Sequence, residues 1–268
     1  MAKLEILTLS GYAGRMNTVI LSYLSDAKKN VFYFPGDTQE MREVMTQQYS
    51  ETARWSDWCF ENMITLLQKK FPHSNIWIIK PSKMLRNIYS SFHNFLQCSI
   101  VGTPEYTEHY GAISHLHQLL VNGAKKVGIE VQVLPIVLVG FSKGCVVLNQ
   151  MVHELDHTLH HSSSNSIDDR DFLKLIKEIY WLDSGHNGEA GAWMTCEKDI
   201  KALVSLEAEL HIHVSPQQVC DPIRMWIGEE HKLFIDYLKQ LGTQVHDTIH
   251  FKDQPRCLEN HFRILDEF

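Results

Sequence analysis

Residues 133–150 read VLPIVLVGFSKGCVVLNQ. The run PIVLVG has the length and β-branched content of a buried strand, and it stops at Ser142, which stands between Gly140 and Gly144. Apolar residues then resume at helical spacing through KGCVVLNQMVHEL. A G-x-S-x-G sequence at a strand-to-helix junction is the pattern of a nucleophile elbow. The sharp turn forces the serine into a strained backbone conformation, and a Cβ at either glycine would meet the adjoining strand or helix. The hydroxyl is thereby projected at the carboxyl end of the sheet. The first free amide of the helix, that of Lys143, is placed to donate to an oxyanion formed there. The plainer alternative is a glycine-rich turn with a capping serine.

On either side of this stretch, strands and helices alternate. LEILTLS, TVILSYL and NVFYFPG read as three short strands, WSDWCFENMITLLQKKF as a helix and NIWIIK as a buried strand. HYGAISHLHQLLVNGAKK has helical spacing before the elbow strand. After the elbow helix come the helix RDFLKLIKEI, the strand IYWLD, the helix EKDIKALVSL, the strand AELHIHV, the helix GEEHKLFIDYLKQLG and the strand TQVHDTIHF. This order predicts an α/β fold of the α/β-hydrolase type: a mostly parallel sheet with helices on both faces, begun by an antiparallel ribbon, in a single domain over 1–268. The patch HHSSSNSIDDRD, 160–171, reads as a polar loop.

A serine needs a base and an orienting acid, which this architecture supplies in the chain order Ser, acid, His. His261 in LENHFRI follows the last strand and is the expected base. Asp221, after the strand AELHIHV, is the favoured acid; Asp183, which ends the strand YWLD, is the alternative, with a turn-capping role as its competing reading. For the second oxyanion donor, VFYFPGD offers the Gly36 and Asp37 amides. The stretch PSKMLRNIYSSFHNFLQCSIVGTPEY, 81–106, is too long for an ordinary connection. Its apolar residues recur at helix-like spacing, which predicts a short amphipathic helix forming part of the pocket wall, with one or more of Tyr89, Phe92 and Phe95 facing the serine, and a substrate with an apolar portion.

Composition narrows the classes. The 268 residues are 44% hydrophobic and carry a formal net charge of -7 with no basic cluster, which argues against a nucleic-acid partner. No apolar stretch reaches the length of a membrane span, and the opening MAKLEILTLSGYAGR has no secretory or targeting character. Six scattered cysteines without a C-x-x-C pair fit a reducing, intracellular compartment. No cofactor is expected. A remote alternative is zinc hydrolysis through His153-Glu154-Leu155-Asp156-His157, an H-E-x-x-H sequence. The core stripe Leu148, Val152 and Leu155 directs His153 and His157 to the solvated face, against that chemistry. His211 and His213 share one face of a strand and read as packing.

The segments VFYFPGD, SNIWIIK, GFSKGCVVLNQ, YWLDSGHNG, DPIRMWIGEEHKLF and ENHFR together resemble the eukaryotic chromosome two open reading frame sixty-nine family, over about Val31 to Phe268. The resemblance implies an α/β-hydrolase-like fold, a serine-hydrolase site on Ser142 and, for animal members, a mitochondrial location. It implies no substrate. Two functions remain: a serine hydrolase acting on an ester, thioester or amide, and a non-catalytic hydrolase-fold binding protein.

Overall fold

The computed structural model describes residues 2–48, 50–86, 88–130, 133–160 and 169–268. Its strands are β1 (Lys3–Ser10), β2 (Met16–Tyr23), β3 (Lys29–Phe34), β4 (Ser74–Ile79), β5 (Lys83–Leu85), β6 (Tyr89–Ser91), β7 (Gln97–Cys98), β8 (Pro104–Glu105), β9 (Ile136–Phe141), β10 (Ile176–Leu182), β11 (Glu209–Val214) and β12 (Val245–Ile249). Its α-helices are α1 (Arg42–Gln48), α2 (Ser50–Ala53), α3 (Phe60–Lys70), α4 (Ala112–Val127), α5 (Cys145–His160), α6 (Asp169–Leu175), α7 (Glu197–Val204), α8 (Pro216–Val219), α9 (Trp226–Gln240) and α10 (Leu258–Glu267). Most of the polar patch 160–171 lies outside the described residues.

Eight strands form one sheet in the order β1-β2-β4-β3-β9-β10-β11-β12. The β1–β2 and β2–β4 pairs are antiparallel; β4 through β12 run parallel. The expected ribbon and parallel sheet are therefore both present. The central strands β4 and β9 are buried along their whole length, as strands covered on both faces must be. Alternate residues divide between two cores. Phe32, Trp77, Leu138, Trp181 and Ile212 face α4, α5, α7 and α9, while Val31, Tyr33, Ile78, Val137 and Val139 face α3 and α10.

From β3 the chain passes through α3 to β4 on one side, then returns through α4 to β9 on the other. The strand order thus reverses between β3 and β9. Connections diverge there and leave a crevice outside the carboxyl ends of the two strands, the usual ligand position in an open α/β sheet.

The stretch 81–106 departs from expectation. It forms two small antiparallel hairpins, β5–β6 and β7–β8, rather than an amphipathic helix. Arg86 (φ 53°) and Gly102 (φ 76°) take left-handed turn conformations that break a helical run. Between the hairpins, Phe92 and Phe95 close a tight turn through the Phe95 N–H to Phe92 carbonyl bond (2.8 Å) and insert into the core.

The H-E-x-x-H segment serves packing. Glu154 is buried and its carboxylate accepts the Gly111 (2.9 Å), Ala112 (2.9 Å) and Ile113 (3.2 Å) amides, capping α4. His153 is half-buried rather than solvated: it stacks on Tyr106 (4.9 Å) and its Nδ1 lies 2.7 Å from Asp199. With Glu154 committed to a helix cap, it is withdrawn from any role as a metal-site base.

Candidate active site

Phe141 ends β9 in extended conformation, and Ser142 then takes φ 51°, a left-handed value uncommon for a residue with a Cβ. Its neighbours explain how this strain is held. A Cβ on Gly144 would lie 1.9 Å from the Phe34 carbonyl oxygen, and one on Gly140 would lie 2.9 Å from the Cys145 Cα. Only glycine lets the elbow close this tightly against β3 and α5. Cys145, fully buried behind the turn, has its thiol pushed up to about 12 by burial.

A histidine and a carboxylate 78 residues apart in sequence meet beside the elbow. His261 Nδ1 donates to Asp183 Oδ2 at 2.6 Å, both residues being buried. Asp183 itself has φ 49°, and its carboxylate also accepts the Ser215 amide (2.7 Å) and hydroxyl (2.6 Å). With Nδ1 carrying the proton, His261 keeps its Nε2 lone pair free. Ser142 and His261 line the same cleft, of about 390 Å³. Among the described residues the Ser142 hydroxyl has no hydrogen-bond partner; serine–histidine contacts commonly tighten only once substrate is bound.

Asp221, the favoured acid of the sequence analysis, is not beside His261. It is held by Arg224 (2.9 Å) and Arg256 (2.9 Å) and accepts the Ile223 amide. Burial pushes its carboxyl up, but these bonds outweigh that, and the net shift is downward. The reason lies in the register. Phe141 pairs with Leu182, so the residues that follow, Ser142 and Asp183, leave neighbouring strands side by side, whereas Asp221 comes after β11 and α8.

The expected oxyanion donors are only partly available. Gly36 approaches Ser142 so closely that a Cβ on it would lie 2.9 Å from the Ser142 Cβ, but its N–H is bonded to Gln39 Oε1 (3.0 Å). Gln39, fully buried, is anchored by Tyr33 (2.7 Å) and by the Trp58 carbonyl (2.9 Å). The Gly36 amide is therefore taken. The free amides near Ser142 are those of Asp37 and of Lys143, the latter by its place in the first helical turn. The Lys143 side chain donates to Asn187 (3.1 Å); burial lowers its pKa and Asp37 opposes this. The Asp37 carboxylate accepts Ser90 through its amide (2.7 Å) and hydroxyl (2.9 Å).

Of the expected pocket aromatics, only Tyr89 lines the cleft. Phe92 and Phe95 pack edge-on against Phe34 at 6.4 and 5.4 Å, inside the core formed with α4. Trp55, Leu258 and Phe262 form the apolar wall instead, with Arg54, Gln217 and Asn187 among its polar members. A second histidine, His186, also borders the cleft. Its Nδ1 accepts the Gly188 N–H (2.9 Å), and burial pushes its pKa down to about 4, so it stays neutral with the proton on Nε2. Ser215, Gln39 and His186 escaped sequence reasoning because single polar residues at strand ends have no spacing signal.

Among solved structures, a puromycin-hydrolysing peptidase of Mycobacterium tuberculosis superposes with a TM-score of 0.50 at 9% identity, covering 99% of this chain and 39% of the other. At that identity the likeness concerns the fold, which is of the α/β-hydrolase type. Among sequences, the mitochondrial protein C2orf69 homologue of Mus musculus is 34% identical over 293 residues, 91% of this chain and 79% of that protein. The Danio rerio homologue is 36% identical over 260 residues, 91% of this chain and 74% of that protein. With the C2orf69 family model matching residues 5–134 and 129–244, the chain belongs to the C2orf69 family.

Proposed function

We propose that this protein is a serine hydrolase that cleaves an ester, thioester or amide through an acyl-enzyme. The observation that carries the reading is the strained Ser142 at a strand-to-helix turn, sharing one cleft with a histidine whose Nδ1 is bound by a buried carboxylate. In this mechanism Ser142 Oγ attacks the acyl carbon while His261 Nε2 takes its proton. Asp183 holds the imidazole tautomer and stabilises the imidazolium, and the Lys143 and Asp37 amides receive the oxyanion. His261 then passes the proton to the departing alcohol, thiol or amine. A water molecule, deprotonated by His261, releases the acyl group. The mixed lining supports a substrate with an apolar portion set against Trp55, Leu258 and Phe262. Because its relatives are named mitochondrial proteins, a mitochondrial location goes with the proposal.

The deciding experiment is labelling with a fluorophosphonate probe. The wild-type protein should be labelled and Ser142→Ala should not, with both giving the same thermal melt. Equal labelling of the two would exclude Ser142 as nucleophile, and an unlabelled, fully folded wild type would favour a binding protein that uses the same cleft.

A further inference from the structure

The sheet edge opposite the ribbon carries a group of side chains that the cleft chemistry does not use. Glu209 and His211 stand two residues apart on β11, and so on one face, and His211 is in register with His246 on the neighbouring edge strand β12. The ligand-capable atoms of these three residues all lie within 4.8 Å of one another, the one such group among the described residues. One further observation points to an occupant. His211 Nε2 is closed to water and has no hydrogen-bond partner; the Glu209 carboxylate is 3.6 Å away, beyond bonding distance. A buried nitrogen that faces a carboxylate without bonding it has room for a cation shared between the two. The His211 ring is also held in place. Tyr180 stacks on His211 at 4.1 Å with 6° between planes; His246 also stacks on the His211 ring, at 4.6 Å with 9°, and because an ion bonds imidazole nitrogen in the plane of the ring, His246 has to turn out of this stack to share an ion with His211. Tyr180 is fixed in turn by its hydroxyl bond to Glu178 (2.9 Å).

We propose that Glu209, His211 and His246 form a binding site for one divalent transition-metal ion of the zinc class. Two imidazoles and a carboxylate suit that class rather than calcium or magnesium, which require mostly oxygen ligands. Metal–nitrogen bonds of about 2.0–2.1 Å require the donor atoms to draw closer than they stand now. The exposed Glu209 and His246 side chains have the freedom to do so, while His211 remains the fixed point. Three protein ligands leave a coordination position for water. A bound ion would cross-link β12 to β11 where the sheet has no further neighbour.

The test is Zn²⁺ binding to the full chain, measured by competition with a chromophoric chelator near neutral pH, alongside thermal melts with and without the ion. The wild type should bind one equivalent and melt at a higher temperature with Zn²⁺ present. His246→Ala and Glu209→Gln, both at exposed positions, should weaken binding by about tenfold or more and lose the thermal shift. His109→Ala, an exposed histidine elsewhere, should bind as the wild type does. Failure of the wild type to bind a full equivalent at matched concentrations overturns the site. So does retention of wild-type affinity in His246→Ala, or an equal loss in His109→Ala.

Discussion

Asp183 Oδ2 and His261 Nδ1 lie 2.6 Å apart, and Ser215 grips the same carboxylate through both its amide and its hydroxyl. The carboxylate is thus fixed from one side and aims its remaining capacity at the imidazole. That arrangement makes Asp183, rather than Asp221, the residue on which turnover should depend.

Asp183→Asn is therefore expected to lower kcat toward an activated ester by about 10⁴, because an amide favours the wrong histidine tautomer. Asp221→Asn should leave kcat within a few-fold and instead cost about 1–3 kcal/mol of stability through the loosened Arg224 and Arg256 bonds. Steady-state kinetics and denaturant unfolding on the two variants separate these outcomes. Equal kinetic losses would refute the assignment of Asp183.

Phe92 and Tyr89 should also part company. Phe92 is 1% exposed within the core, so Phe92→Ala is expected to cost about 3–5 kcal/mol and leave the probe-labelling rate of the folded fraction unchanged. Tyr89 is 47% exposed and lines the cleft, so Tyr89→Ala should alter KM with a stability change under about 0.5 kcal/mol. Thermal melts and labelling rates on both variants check this.

Acid sensitivity follows from His115. It is fully buried, its Nε2 lies 2.8 Å from Asn17 Oδ1, and burial, with the Arg15 charge adding, pushes its pKa down to about 3. The unfolded chain binds this proton near pH 6.5, so stability is fully present above that pH and is lost as pH falls toward the folded value. The expected slope from this residue is about 1.4 kcal/mol per pH unit below pH 6.5. Denaturant unfolding of wild type and His115→Gln between pH 4.5 and about 7 measures the difference. Parallel pH profiles for the two proteins would contradict the prediction.

The legible parts of this chain were those with a period or a steric signature. Continuous apolar strands, helical stripes and the Gly140-Ser142-Gly144 elbow each carry a local physical reason and lie where expected, except that the helix expected over RDFLKLIKEI ends at Leu175, its last four residues being the start of β10. Asp183 and Asp221 both obey the order serine, acid, histidine, and only the pairing of β9 with β10 separates them. The same limit applies to Phe92 and Phe95, whose helix-like spacing arises from a turn between two hairpins rather than from a helix. The Gly36 amide is occupied by Gln39, a side-chain bond that no motif records.

The placement of His261 on α10 has a kinetic consequence. The His261–Asp183 bond joins residues 78 apart in sequence, and the helix is tied down by the Trp58–Asp266 bond, which spans 208 residues. Contacts of such separation carry the largest loop-closure cost and are slow to form. The β9–α5 elbow joins elements adjacent in sequence, whereas on the proposed mechanism a reactive serine also requires α10 to dock against Trp55 and Phe141. Recovery of Ser142 reactivity during refolding should thus trail recovery of helical circular dichroism, making the hydroxyl a clock for the final docking step.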